Sequence, residues 1–154
     1  LLRRHVELET LPYCEANTIG FIPYFPRAGG FLTDKYNKGE SAPEGTRGAA
    51  GSPIVRHSRS AANEDIQHQL KTWAHAQGHT LNELAIAWLL SHSEVCSVTT
   101  GVSSPEQVKA NVQASEWKLD DEQVKEVNKM VRWDGTDDAI ELLQDFTKEV
   151  RFAK

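Results

Sequence analysis

Residues 95–107 read Val95-Cys96-Ser97-Val98-Thr99-Thr100-Gly101-Val102-Ser103-Ser104-Pro105-Glu106-Gln107. Val95 to Thr100 is rich in β-branched residues, which suit a pleated and half-buried surface, and it reads as a strand. Gly101 stops it. Ser104 then offers a helix cap and Pro105 a first helical residue, a position where the missing N–H is no loss. The stretch is a strand that passes through a turn of small residues directly into a helix. Such a junction presents free N–H groups at a helix N-terminus, which favours an anion such as phosphate.

A second junction of this kind lies upstream. Ile19-Gly20-Phe21-Ile22-Pro23-Tyr24-Phe25 is a short apolar run bounded by turn signals, as a buried strand would be, and Pro26-Arg27-Ala28-Gly29-Gly30 breaks it into a loop. Before it, His5 to Asn17 reads as a short helix that Pro12 should kink or restart. After it, residues 37–59 hold Gly39, Pro43, Gly45, Gly48, Gly51 and Pro53 and read as a long flexible loop. Ser60 or Asn63 can cap a helix with Ile66, Leu70, Trp73 and Ala74 on one stripe, ended by Gly78. Thr80-Leu81-Asn82-Glu83 is a capping box before Leu84 to Leu90. Leu119-Asp120-Asp121-Glu122 starts a helix through Val124, Val127 and Val131 that Gly135 ends, and Asp138 to Val150 reads as a last amphipathic helix.

Strands alternating with helices predict an α/β fold with parallel strands. Two parallel strands cannot stand alone, because both faces and both edges need cover. The chain is expected either to borrow strands or to be a piece of something larger, and its lack of an initial Met fits the second expectation. In α/β folds ligands bind at the C-terminal ends of the strands, where both junctions lie. At the first, Gly29 and Gly30 let backbone approach a ligand, and Arg27, Lys35 and Arg47 supply positive charge. At the second, Ser103, Gln107 and Asn111 recur one helical turn apart and share a face.

Composition limits the partners. The 154 residues carry 17 basic and 22 acidic side chains, a net charge of −5. Residues 1–60 hold 8 basic and 6 acidic groups, while residues 61–154 hold 9 and 16, so only the N-terminal part leans towards an anion. A pI near 5.7 argues against a nucleic-acid partner, and no apolar run is long enough to cross a bilayer. Cys14 and Cys96 are too few for a disulfide framework, and no secretory leader is visible, so a cytoplasmic location is expected. Both cysteines read as small buried hydrophobes. Trp73 and Trp88 read as core residues. His68, His75 and His79 read as surface histidines rather than metal ligands, since no carboxylate or cysteine completes a site.

Three segments carry a resemblance. Tyr24 to Tyr36, YFPRAGGFLTDKY, resembles the aldo-keto reductase pattern aromatic-Ser-Pro-Leu-x-x-Gly-x-Leu-Thr-Gly-Lys-Tyr. TLNELAIAWLL, from Thr80 to Leu90, looks like the family's helix after its seventh strand. GVSSPEQVKAN, from Gly101 to Asn111, is similar to its last cofactor turn, Gly-Ala-Ser-x-x-Glu-Gln-x-x-Glu-Asn. The order is right over roughly residues 1–132, and the likeness is greatest to the branch of potassium-channel β-subunits and related bacterial and plant reductases.

The resemblance implies the C-terminal portion of a (β/α)8 TIM barrel, the region of strands 6–8 with flanking helices, over residues 1–134, while residues 135–154 read from their own pattern as a C-terminal helical tail. It implies NADP(H) as cofactor and a small-molecule carbonyl substrate reduced by hydride transfer. Tyr24 would lie near the nicotinamide, and Pro26, Arg27, Ala28, Gly30 and Leu32 in the pyrophosphate loop. Lys35 and Arg47 would reach phosphates, and Gly101, Ser103, Gln107 and Asn111 would hold the adenosine end. Phe25 stands where the family has Ser and Arg27 where it has Leu, so a hydroxyl contact is lost and a charge gained. Asp34 replaces a glycine and Ala110 a glutamate. The family's catalytic Asp, Tyr, Lys and His lie in its N-terminal half, so no catalytic residue is assigned here. The alternative reading is an inactive nucleotide-binding or interaction module that associates with itself through an exposed barrel edge.

Overall fold

The structure, a computed structural model, describes residues 1–131. Its architecture is set by six α-helices: α1 Thr10–Ala16, α2 Pro53–Ser58, α3 Ala61–Ala76, α4 Leu81–Leu90, α5 Pro105–Glu116 and α6 Asp121–Met130. Short 3-10 turns at His5–Glu7 and Ala28–Gly30 complete the described elements. The expected helix at 138–150 and the Gly135 stop fall outside the described residues, as does Trp133.

Local chemistry explains the helix starts. The Ser60 hydroxyl accepts from the Asn63 N–H, and the Ser104 hydroxyl accepts from the Gln107 N–H. Thr80 and Glu83 form the reciprocal capping box at α4, and Asp120 with Gln123 forms another at α6. Burial disfavours ionisation of Glu83, but hydrogen bonds from the Thr80 N–H and hydroxyl, together with His79, outweigh it and hold the carboxyl below its ordinary range. Pro12 is the third residue of α1, and Tyr13 donates back to the Glu9 carbonyl. The helix therefore restarts before the proline, within the first turn, where N–H groups have no partner to lose.

The core lies where α3, α4 and α6 meet. Leu70, Ala74, Leu81, Leu84 and Val127 have no solvent exposure, and Trp88 is 2% exposed. Phe31, Leu32, Tyr36 and Val55 extend this core towards the first junction. Gln67 is buried among them, and its amide donates to the Tyr36 carbonyl at 3.0 Å and the Thr33 carbonyl at 3.5 Å. A buried amide is tolerated because it is satisfied in this way. At the other end of the described chain, Arg4 makes a bidentate pair with Glu7, donates to the Val131 carbonyl and lies 5.3 Å from the Trp88 ring centre.

The two expected strands meet in a single parallel bridge between Phe21 and Val95, with no named strand among the described residues. Phe21 donates to the Glu94 carbonyl at 2.7 Å, and Cys96 donates to the Phe21 carbonyl at 3.1 Å. The expectation of parallel pairing is met in direction but not in extent. A ladder of two parallel strands, unsupported on either side, gains too few hydrogen bonds and too little burial to extend. Cys14 is buried as expected, but Cys96 is exposed beside this bridge, which corrects its reading as a buried residue.

The stretch 37–59 also differs from a plain loop. Pro53 opens α2, which buries Ile54, Val55 and Ser58 and packs on the Ala28–Gly30 turn. A Cβ at Gly29, where φ is +71°, would sit 2.9 Å from the Ile54 side chain. Glycine is needed here both for its backbone and for its lack of bulk.

Candidate functional site

The Tyr24–Leu32 segment is held by backbone of unusual handedness. Phe25, Ala28, Gly29 and Gly30 all have positive φ, at 51°, 48°, 71° and 108°. For Phe25 and Ala28 this is a local strain that the surrounding contacts must hold in place. Ala28 is buried against α2, and its N–H donates to the Phe25 carbonyl at 2.9 Å. The result separates the side chains of the segment. Tyr24, Pro26, Ala28 and Leu32 line an apolar cavity of about 160 Å³, together with Leu1, Val6, Phe21, Ile54, Trp88 and Val95. Tyr24 is 70% exposed at its rim, in edge contact with Phe25.

Arg27 leaves that wall and crosses to the second junction. Its Nη2 donates to the Gly101 carbonyl at 2.6 Å, and its Nη1 donates to Asn82 Oδ1 at 3.0 Å and Asn111 Oδ1 at 3.5 Å. Asn82 donates in turn to Asn111 Oδ1, and Asn111 donates to the Thr100 hydroxyl at 3.1 Å. Arg47 closes the group: its Nη2 lies 3.8 Å from where a Cβ on Gly101 would be. Burial, and then the Arg47 charge, lower the Arg27 pKa. Neither guanidinium has a carboxylate partner among the described residues.

Of the residues marked in the sequence, Arg27, Arg47, Gly101 and Asn111 are thus brought together. Ser103 and Gln107 form a separate pair, in which Gln107 Oε1 accepts from the Ser103 N–H and hydroxyl. Gly30 stands in open space, with nothing within 4 Å of an added Cβ. Leu32 is buried in the core and meets the site only through the cavity wall. Lys35 is exposed and takes no part in the cluster.

The helix end contributes less than the sequence suggests. At the N-terminus of α5 the Ser103 and Gln107 N–H groups already have internal acceptors. Glu106 is held below its usual range by its own N–H and by the Ser104 hydroxyl. Positive charge at this junction comes from the two arginines, not from unspent helix donors.

Two residues of consequence carry no chemical signal in the sequence. In the sequence Asn82 lies inside a capping box, yet in the structure its Oδ1 accepts from Arg27 and orients it. Asp34, read as a departure from a glycine, pairs with His75 at 2.9 Å and accepts from the Leu81 N–H at 3.3 Å, tying the first loop to the α3–α4 corner. His79 is not a solvated surface residue: its ring stacks 3.8 Å from that of Trp117, which stacks on Trp73. No group of three or more potential metal ligands occurs among the described residues. No described helix is long and apolar enough to cross a membrane.

The Aldo/keto reductase family model matches residues 1–132. A probable voltage-gated potassium channel subunit beta of Arabidopsis thaliana is 38% identical over 114 residues, 73% of this chain and 34% of the relative. A putative voltage-gated potassium channel subunit beta of Schizosaccharomyces pombe is 32% identical over 141 residues, 86% of this chain and 40% of the relative. An NADH-specific methylglyoxal reductase of Escherichia coli is 31% identical over 121 residues, 79% of this chain and 36% of the relative. The chain thus spans little more than a third of the length of these relatives.

Proposed function

The chain belongs to the aldo/keto reductase family, and from that premise we propose that it is the nucleotide-binding portion of an oxidoreductase that reduces aldehydes or ketones. The observation that carries this reading is the cross-junction cluster. Arg27 joins the loop after Phe25 to Gly101 and Asn111, and Arg47 stands beside it. A dinucleotide phosphate fits such a place, since charge-assisted bonds from guanidinium groups to phosphate are strong and directional. Gly30 leaves room for backbone to approach the same molecule.

In this reading the cofactor is NADP(H), which when bound supplies a hydride to a carbonyl carbon. The chain's own residues bind and orient it. Arg27, Arg47 and Asn111 hold phosphate or adenosine, with Ser103 and Gln107 nearby. Tyr24 and Pro26 shape the apolar cavity into which a small carbonyl compound could pack. The wider architecture is read as the C-terminal portion of a (β/α)8 barrel, in which the Phe21–Val95 bridge marks where neighbouring strands run in parallel. No described residue is given the proton-donor role, and the catalytic step is assigned to no side chain.

NADPH fluorescence, titrated with the chain, tests the reading. A saturable rise in nicotinamide emission, with NADPH held more tightly than NADH, is the expected result. No change with either nucleotide, while circular dichroism reports a folded chain, would contradict it. Oxidation of NADPH on adding a panel of aldehydes separates catalysis from binding alone.

A further inference from the structure

The guanidinium of Arg27 makes contacts that no apolar side chain could make. Three neutral oxygens, from Asn82, Asn111 and Gly101, orient the guanidinium without cancelling its charge. Of its five N–H donors, these contacts use three and leave two. Arg47 reaches the same glycine, its Nη2 3.8 Å from where a Cβ on Gly101 would be, so two like charges share this junction and neither has a carboxylate partner among the described residues. An anion placed there takes the remaining donors and also relieves the repulsion, whereas a neutral ligand can accept from the donors but leaves the repulsion in place.

We propose that Arg27 is a phosphate ligand shared between the two junctions, and that Asn82 on α4 is its positioning residue. The proposal deepens the nucleotide-binding reading and rests on it for the identity of the ligand, but not for its chemistry. A phosphate group is the shared feature. The dinucleotide bridge and an adenosine 2′-phosphate are its two sources.

Isothermal titration of inorganic pyrophosphate into the full chain, at two salt concentrations, is the first arm. Arg27→Leu should lower the affinity about ten-fold or more and flatten its salt dependence, because a charge-assisted contact is lost. Arg27→Lys should recover part of the salt dependence but little of the affinity, since one ammonium cannot span the three acceptors. Asn82→Ala should weaken binding several-fold while leaving the salt dependence intact, which loss of fold would not do. Equal or tighter binding by Arg27→Leu would overturn the proposal, since the guanidinium would then be filling a gap rather than reading an anion. Absence of pyrophosphate binding by the unsubstituted, folded chain would overturn it too.

NADPH and NADH titrations form the second arm. If Arg27 holds the bridge, Arg27→Leu weakens both alike; if it holds the 2′-phosphate, only NADPH is affected. Pyrophosphate bound through Arg27 with neither nucleotide bound would leave this inference standing and remove the nucleotide-binding reading.

Discussion

At the corner where α3, α4 and α6 meet, Leu70, Leu81, Leu84 and Val127 are wholly buried, and each helix that reaches it starts on a satisfied cap. Between the two junctions, Arg27 and Arg47 both approach Gly101, while Ile22, Tyr24, Phe25 and Val102 are exposed. The first region is complete as it stands. The second is organised but incomplete: its polar groups are oriented, and among the described residues its charges are not balanced and its one β-bridge does not grow into a ladder. Stability and ligand response should therefore separate along this line, since regions that bind are drawn from the less self-sufficient part of a fold.

The largest effect is expected in the corner. Leu84→Ala removes a side chain with no exposure and should cost about 2–5 kcal/mol, seen as a lower urea midpoint. Gln67→Leu leaves the Tyr36 and Thr33 carbonyls without their donor, and about 1–3 kcal/mol should be lost in the same measurement. Thr80→Ala removes half of the α4 capping box, at a cost of about 1 kcal/mol. The latter substitution also carries a pH signature. Glu83 has its folded pKa below the ordinary 4.5, so its contribution is present above that value and fades as the pH falls through the folded pKa. Denaturation curves between neutral pH and pH 3 should show the gap between Thr80→Ala and the parent closing on the acid side. The smallest effect belongs to the other region. Ile22→Ser, at a residue 56% exposed, should change stability by less than about 0.5 kcal/mol while reducing any self-association seen by sedimentation. A large loss of stability from Ile22→Ser would erase the distinction between the two regions.

The same line divides what could be read from the sequence. Caps are local, so Ser60, Thr80 with Glu83, and Ser104 before Pro105 were legible from residues three apart. The apolar stripe of Leu70 and Ala74 was legible for the same reason. Strand pairing is not local. Val95–Thr100 has the composition of a strand, but whether it forms a ladder depends on neighbours that composition cannot supply. The exposure of Cys96 follows from that shortfall. Arg27 reads as a charge in the first loop, but its bond to Gly101, 74 residues on, depends on a fold that local sequence does not specify. Asn82 was hidden more thoroughly, because its place inside a capping box gives it an adequate local role. Its contact with Arg27 exists only because α4 brings it beside both junctions.

Hydrogen–deuterium exchange of the full chain, with and without saturating NADPH, tests the account most directly. Slower exchange confined to residues 25–32, 45–48 and 100–111, with α3 and α4 unchanged, is the predicted result. Equal protection of both regions, or none in either while the chain is folded, would contradict it.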